Sequence, residues 1–223
     1  MGCKCSNINS DKKTEMVPEI ISSRAIKSYN KDEIEDEEKE KMKKYSDYPM
    51  KMLNLINKIR ENPRDFADVI EDSIQNIITE DNKYGENNIP RVIYKHKVKV
   101  ALNRGEQAFR EVAEELRNMA SAPPLQFKEE ICIPLPDNEN DFKDQNYLRN
   151  KVKDILSKNM HINVFYKDLI KIPEVAVLLM IVDDNGKNSG KKRKALLNKN
   201  FKYIGITYRF IGKTFMSYYS FSK

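Results

Sequence analysis

The chain has 223 residues, which is enough for one domain of ordinary size and an extension. Charged residues make up 33% of the chain and the formal net charge is +6, so an anionic partner is favoured. No run approaches the roughly 20 apolar residues of a spanning helix, and we expect no secretory signal after Met1. With three cysteines, two of them near the N-terminus, we expect no disulfide framework and a reducing, cytosolic environment.

The N-terminus reads Met1-Gly2-Cys3-Lys4-Cys5-Ser6, which fits the pattern for N-myristoylation of Gly2. A single myristoyl chain binds membranes only marginally, so stable residence needs a second signal. Palmitoylation of Cys3 and Cys5 would supply that signal. The motif therefore predicts a lipoprotein held on the cytoplasmic leaflet of a membrane through its acyl chains. The alternative is a chance match in an unmodified terminus.

Residues 1–47 are predicted to form an extension ahead of a domain at 48–223. Residues 7–30 are mostly polar with no clear period, as is typical of a tether, either disordered or helical. Residues 31–44 place acids before bases, an order that suits a solvated helix. A metal site in this acidic run is the alternative, but the run lacks the glycine-containing loop of a calcium hand.

The first half of the domain shows helical spacing of apolar residues. It predicts an amphipathic helix over 48–59 and a second helix from Pro63 to Ile78. Residues 92–94 fit a short strand or the start of the next helix. The apolar pattern of residues 98–119 predicts one long helix, although Gly105 weakens it.

The last third of the chain predicts a buried helix, a basic loop and a closing hairpin. The apolar run 175–182 predicts the helix, and residues 187–194 form the loop. Residues 201–211 and 213–222 have the aromatic and β-branched composition of paired strands. Gly205 within the first strand indicates close approach of another group. Asp183 and Asp184, after the helix, are expected to form hydrogen bonds within the loop.

Four segments carry a family resemblance. The C-terminal run resembles the G-H-R-x-N-I-φ-N-x-x-F-x-x-φ-G pattern of the CAP superfamily (SCP/TAPS, cysteine-rich secretory and pathogenesis-related-1 proteins). Residues 53–66 resemble the first helix of that family with its N-x-x-R-x-x-P, residues 123–125 its P-P-L, and residues 162–166 its E-N-I-x-Y strand. The matching residues of the C-terminal run are Arg193, Leu196, Leu197, Asn198, Phe201, Ile204 and Gly205.

The resemblance implies a CAP-type α/β/α three-layer sandwich over residues 48–223. It also implies a cleft that in the family carries two histidines and two acids, sometimes with a divalent metal. Here Lys192 occupies the position of the second histidine and Ile162 that of the first glutamate. The first histidine has no counterpart, since His161 falls one residue out of register and His96 lies in a basic stretch. The implied site is lost, so we expect no catalysis, no cofactor and no bound metal.

Five cations in and after the predicted loop form a candidate basic patch: Lys187, Lys191, Lys192, Arg193 and Lys194. Such a patch suits anionic lipid headgroups or an acidic protein surface. Nucleic acid is disfavoured because no aromatic stacking platform adjoins the patch. The alternative is a solvated loop without a partner, since short basic runs are frequent in sequences.

No other catalytic motif is present. The sequence lacks G-x-S-x-G, C-x-x-C and H-E-x-x-H, and Cys132 between two isoleucines is interpreted as a buried thiol. The leading hypothesis is a non-catalytic binding or scaffold protein, a pseudoenzyme that is membrane-anchored or embedded in an assembly. Two alternatives remain open: a structural subunit of a large ciliary or cytoskeletal complex, and an atypical CAP hydrolase that uses acidic residues.

Overall fold

Helices and two separate sheets make up a mixed α/β fold, the class expected from the sequence. The computed structural model describes residues 39–40, 42–78, 91–94, 98–136, 141, 161–166, 171–184, 190–211 and 214–223. Its elements, in chain order, are α1 (Tyr48–Glu61), α2 (Pro63–Ile74), β1 (Ile77–Ile78), β2 (Arg91–Tyr94), β3 (Val98–Ala101), α3 (Glu106–Arg117), β4 (Gln126–Phe127), a 3-10 turn (Glu129–Ile131), β5 (His161–Tyr166), α4 (Pro173–Val182), α5 (Lys191–Leu196), β6 (Tyr203–Ile211) and β7 (Thr214–Ser222).

The larger sheet has the strand order β4-β6-β7-β5. The predicted hairpin of β6 and β7 is confirmed, with antiparallel register from Tyr203 opposite Ser222 to Ile211 opposite Thr214. β5, predicted as a strand, pairs antiparallel with β7, and β4 pairs parallel with β6. β7 is an inner strand, and its residues from Phe215 to Phe221 are all buried. The smaller sheet is antiparallel in the order β1-β2-β3.

The helices α1, α2 and α4 form where the apolar pattern predicts them. A proline lies in the first turn of α1, α2 and α4, where its fixed φ suits the helix and its missing N–H costs nothing. α1 buries Met52, Ile56 and Ile59 in the main core. α4 is apolar on nearly every side and packs against both α1 and α3, so it lies inside the fold.

The prediction of one helix over 98–119 is wrong in its first part. Residues Val98–Ala101 form β3, and α3 begins only at Glu106. Gly105 precedes the helix with φ 57° and ψ −132°, a conformation that residues with a Cβ rarely adopt. The glycine that weakened the predicted helix therefore marks its true start. Similarly, Ile77–Ile78 form a strand rather than the end of α2.

The predicted loop 187–194 is also corrected, because residues Lys191–Leu196 form α5. Packing extends N-terminally of the predicted boundary at residue 48. Met42 and Tyr45 pack against the core, and the Tyr45 ring centroid lies 5.4 Å from that of Phe210. No helix in the ranges given above combines the length and apolar character of a membrane span. Gly2, Cys3, Cys5, His96 and Lys187 lie outside those ranges.

Candidate functional site

Arg60 is a buried arginine that joins α1 to two later segments of the chain. Its side chain is 1% exposed. The Nε donates to the carbonyl of Pro123 at 2.7 Å, and Nη1 donates to the carbonyls of Leu196 at 2.6 Å and Asn198 at 3.1 Å. The Nη2 donates to the carbonyl of Phe201 at 3.2 Å. Burial lowers the pKa of Arg60 to about 10.

Asn57, one turn before Arg60, forms a reciprocal pair with Leu125. Its Nδ2 donates to the Leu125 carbonyl at 2.9 Å, and the Leu125 N–H donates to Asn57 Oδ1 at 2.7 Å. An amide side chain that pairs with both backbone groups of one residue fixes that segment against the helix. Sequence reasoning identified Asn57 and Arg60 only as members of a motif. Their structural role depends on carbonyls from segments more than 60 residues away.

Asp183 and Lys192 form a partly buried ion pair at the position implied for a family histidine. Asp183 ends α4 in the left-handed region, with φ 43° and ψ 53°. Its Oδ2 accepts the backbone N–H of Lys192 at 2.9 Å, and its Oδ1 lies 3.6 Å from Lys192 Nζ. The side chains are 1% and 27% exposed, respectively. Burial lowers the pKa of Lys192, and the charge of Asp183 opposes that effect.

Asp184 accepts hydrogen bonds from the residues that lead into α3. Its Oδ2 accepts the backbone N–H of Arg104 at 2.7 Å and that of Gly105 at 3.3 Å. The Arg104 guanidinium lies 3.4 Å from Asp184 Oδ1 and 2.6 Å from Glu111. A carboxylate in this place stabilises the N-terminal end of a helix. Loop hydrogen bonding, predicted for both aspartates, is therefore observed, and it reaches a distant helix as well.

Arg193 points into the structure and closes the C-terminal end of α4. Its Nη1 donates to the carbonyls of Ile181 at 2.8 Å and Val182 at 3.3 Å. Its Nη2 lies 2.7 Å from the Glu115 carboxylate, and its side chain is 11% exposed. Carbonyls at the end of a helix lack partners within it, so a guanidinium there is structurally favourable.

The candidate basic patch is therefore divided by the fold. Lys192 and Arg193 form internal contacts, whereas Lys191 and Lys194 are exposed on α5. The interpretation of Lys191–Lys194 as part of one basic loop is corrected, and Lys187 lies outside the described residues. One side of a helix faces the protein, and here that side includes the neighbouring residues Lys192 and Arg193, which a linear run of charges does not show.

A half-open groove of about 530 Å³ lies between α1, α2 and α4, and sequence reasoning did not anticipate it. Ile59, Val177 and Leu178 form its buried floor. Val69 on α2 lines the groove and is 48% exposed. The full apolar lining is Leu55, Ile59, Phe66, Val69, Val177 and Leu178.

Cys132 is half-buried next to β6. Its Sγ lies 3.8 Å from the carbonyl oxygens of Lys128 and Ile206. Burial raises the pKa of the thiol, which lowers the fraction present as the nucleophilic thiolate. The sequence predicted a buried thiol, and the structure shows Cys132 only half-buried, in surroundings that disfavour the thiolate.

The other two residues that were compared with the family's site, Ile162 and His161, lie on the larger sheet. Ile162 is in β5 opposite Ser220 of β7, and His161 is its neighbour along the strand. In the part of the chain that the structure describes, no three histidine, cysteine, aspartate or glutamate residues are grouped as metal ligands would be. No protein-family model matches the chain, and no curated protein or solved structure matches it either.

Proposed function

We propose that the chain is a lipid-anchored, non-catalytic binding or scaffold module of CAP type, with a three-layer α/β/α sandwich. Support for the family comes from Arg60, whose guanidinium donates to carbonyls at residue 123 and at residues 196–201. Three of the segments that carry the sequence resemblance, the first helix, the P-P-L and the C-terminal run, are thereby neighbours in space. The fourth, residues 162–166, lies in strand β5, and the resemblance implies a strand there.

The observation that carries the non-catalytic proposal is the Asp183–Lys192 pair. A neutral imidazole offers a lone pair to a cation or a proton, whereas the ammonium of Lys192 offers none. The carboxylate is held by that ammonium and by a backbone N–H. A lysine charge about 4 Å from a divalent ion would oppose binding by roughly 2 kcal/mol even in bulk water.

Zinc calorimetry on the full chain tests this proposal, with Cys3 and Cys5 replaced by serine to remove exposed thiols. We expect no binding tighter than about 1 μM, and only a partial gain for Ile162→Glu with Lys192→His, because the first histidine has no counterpart. Ile162→Glu with Lys191→His is the matched control, because it adds the same carboxylate and an imidazole at the exposed neighbouring position. Binding tighter than about 1 μM by the chain with its native Ile162 and Lys192 would overturn the lost-site proposal.

The anchoring part of the proposal rests on Gly2 and the two cysteines that follow it. Gly2→Ala removes the acylation site and with it about 0.8 kcal/mol for each methylene that would be buried in the bilayer. We expect this variant to leave the membrane fraction in cells, whereas Ser10→Ala should remain. Cys3→Ser with Cys5→Ser should leave weak, salt-sensitive binding. Gly2→Ala protein that still sediments after a salt wash would refute the anchor.

The salt-sensitive part of that binding is assigned to the basic surface. Lys191, Lys194, Lys199 and Lys202 are exposed around α5 and the start of β6. They suit an anionic leaflet or an acidic protein, with about 1 kcal/mol for each lysine close to an anionic membrane. This surface replaces the wider patch expected from the linear sequence.

A further inference from the structure

The groove between α1, α2 and α4 has a buried apolar floor and an exposed apolar residue at its wall. Ile59, Val177 and Leu178 are buried at 2%, 1% and 3% exposure, and Val69 at the wall is 48% exposed. Its volume of about 530 Å³ is in the range of sites that enclose small ligands, which is about 300–1,000 Å³. The lining is mainly apolar, with the polar Asn62 and Ser73 in it, and its three charged residues are exposed at the rim. A mainly apolar lining suits a hydrocarbon chain.

The N-terminus is long enough to reach this groove. Met42 and Tyr45 pack against the core near Tyr208 and Phe210, beside the start of α1. The groove residues Lys58 and Ile59 lie farther along the same helix. At 1.5 Å per residue, they are about 15 Å from its first residue, Tyr48. Gly2 lies 40 positions before Met42. At about 3.3 Å for each extended residue, a small part of that length spans the distance to the groove.

The rim charges distinguish between possible hydrocarbon ligands. Asp65 and Glu174 give the rim two negative charges against the one positive charge of Lys58. A free fatty acid or an anionic phospholipid would bring a further negative charge. An acyl group linked to Gly2 ends in an uncharged amide and is followed two residues later by Lys4. The rim therefore favours the amide-linked chain over anionic lipids.

We infer that this groove binds the myristoyl group of the chain's own Gly2, so that the acyl chain exchanges between the groove and the membrane. The inference rests on the proposed acylation. A tethered ligand has a high effective concentration, so an intrinsically weak groove can still hold the acyl chain. Membrane binding requires an acyl chain that is outside the groove. The apparent membrane affinity is therefore proportional to the fraction of molecules whose groove is empty.

Isotope-filtered NMR on the full chain tests occupancy directly. The chain is co-expressed in bacteria with an N-myristoyltransferase and carbon-13 myristate, and intact mass confirms the modification. We expect nuclear Overhauser contacts from the acyl methylenes to the methyl groups of Leu55, Val69 and Val177. Acylated protein without these contacts overturns the inference and leaves the anchor standing. A chain that the transferase does not modify overturns both the anchor and the inference.

Partition into neutral phosphatidylcholine vesicles tests exchange. Val69→Trp fills the groove from an exposed position, and Met50→Trp is the matched control because Met50 is 50% exposed and does not line the groove. We expect acylated Val69→Trp protein to partition at least about tenfold more strongly than acylated wild type, with Met50→Trp unchanged. Equal partition of the two variants overturns the inference. Shifts of the groove methyls by free myristate alone would assign the groove to free fatty acids instead, which also overturns it. The NMR arm requires no variant, so misfolding of Val69→Trp protein would not remove the test.

Discussion

Gly205→Ala is the sharpest test of how β6 and β7 pack. Gly205 lies opposite Ser220, and a Cβ at this position would be 2.6 Å from Ser220 Oγ and 2.8 Å from the carbonyl carbon and oxygen of Ile131. Ordinary van der Waals contacts of a Cβ lie at 3.4–4 Å. Ser220 Oγ also donates to the Ile131 carbonyl at 2.5 Å, so one methyl group would disturb a contact and a hydrogen bond together.

The size of the effect follows from what can move. Ser220 can rotate its hydroxyl away, but the Ile131 carbonyl belongs to the backbone of the 3-10 turn. Overpacking of this kind costs about 1–3 kcal/mol, and loss of the hydrogen bond adds about 0.5–1.5 kcal/mol. For a chain of this size, each kcal/mol lowers Tm by about 2–4 °C, so we expect a fall of roughly 3–18 °C.

Thermal unfolding followed by circular dichroism measures this effect, with Ser220→Ala and the double variant as controls. Ser220→Ala removes the hydroxyl but leaves the backbone of Ile131, so Gly205→Ala should remain destabilising in that background. An unchanged Tm for Gly205→Ala would refute the packing of β6 against the 3-10 turn. Complete rescue by Ser220→Ala would show that the hydroxyl alone causes the clash, which would contradict the argument from the backbone.

Two further predictions concern buried polar groups. Arg60→Met leaves four carbonyls without their donor and should lower the free energy of unfolding, measured by urea titration, by at least about 3 kcal/mol. Arg64→Met, at an exposed position of α2, is the control and should change it little. Similar losses in both variants would contradict the role of Arg60. Tyr48 and Tyr219 share a buried hydroxyl hydrogen bond of 2.7 Å, and burial raises the pKa of Tyr219 to about 12 from 10.0. Because the pKa is raised in the folded state, its contribution to stability is complete below pH 10 and is lost as the pH rises through about 12. The urea midpoint of wild type should therefore fall more steeply between these pH values than that of Tyr219→Phe protein. Parallel curves would rule out this contribution.

Local patterns predicted the elements that depend on neighbours in the chain. The apolar spacing of α1 and the proline that begins α2 are local signals, and both helices are present. The same holds for the apolar run of α4 and for the two strands of the hairpin, whose side-chain composition is read within ten residues. The boundary between β3 and α3 was missed because the apolar residues around Gly105 fit one helical period, while the unusual backbone angles of Gly105 decide where the helix begins.

The sequence by itself determined the mixed α/β class and the positions of the family-like motifs. It also showed a lysine where the resemblance implies a histidine. Only the tertiary structure decided that Lys192 pairs with Asp183 and that Arg193 closes α4, because both contacts depend on how α5 folds back on that helix. The groove has the same origin, since α4 is distant in the chain from the consecutive helices α1 and α2 and contributes a wall beside them. A residue's type is a local property, whereas its partners and its exposure depend on which distant segments pack beside it.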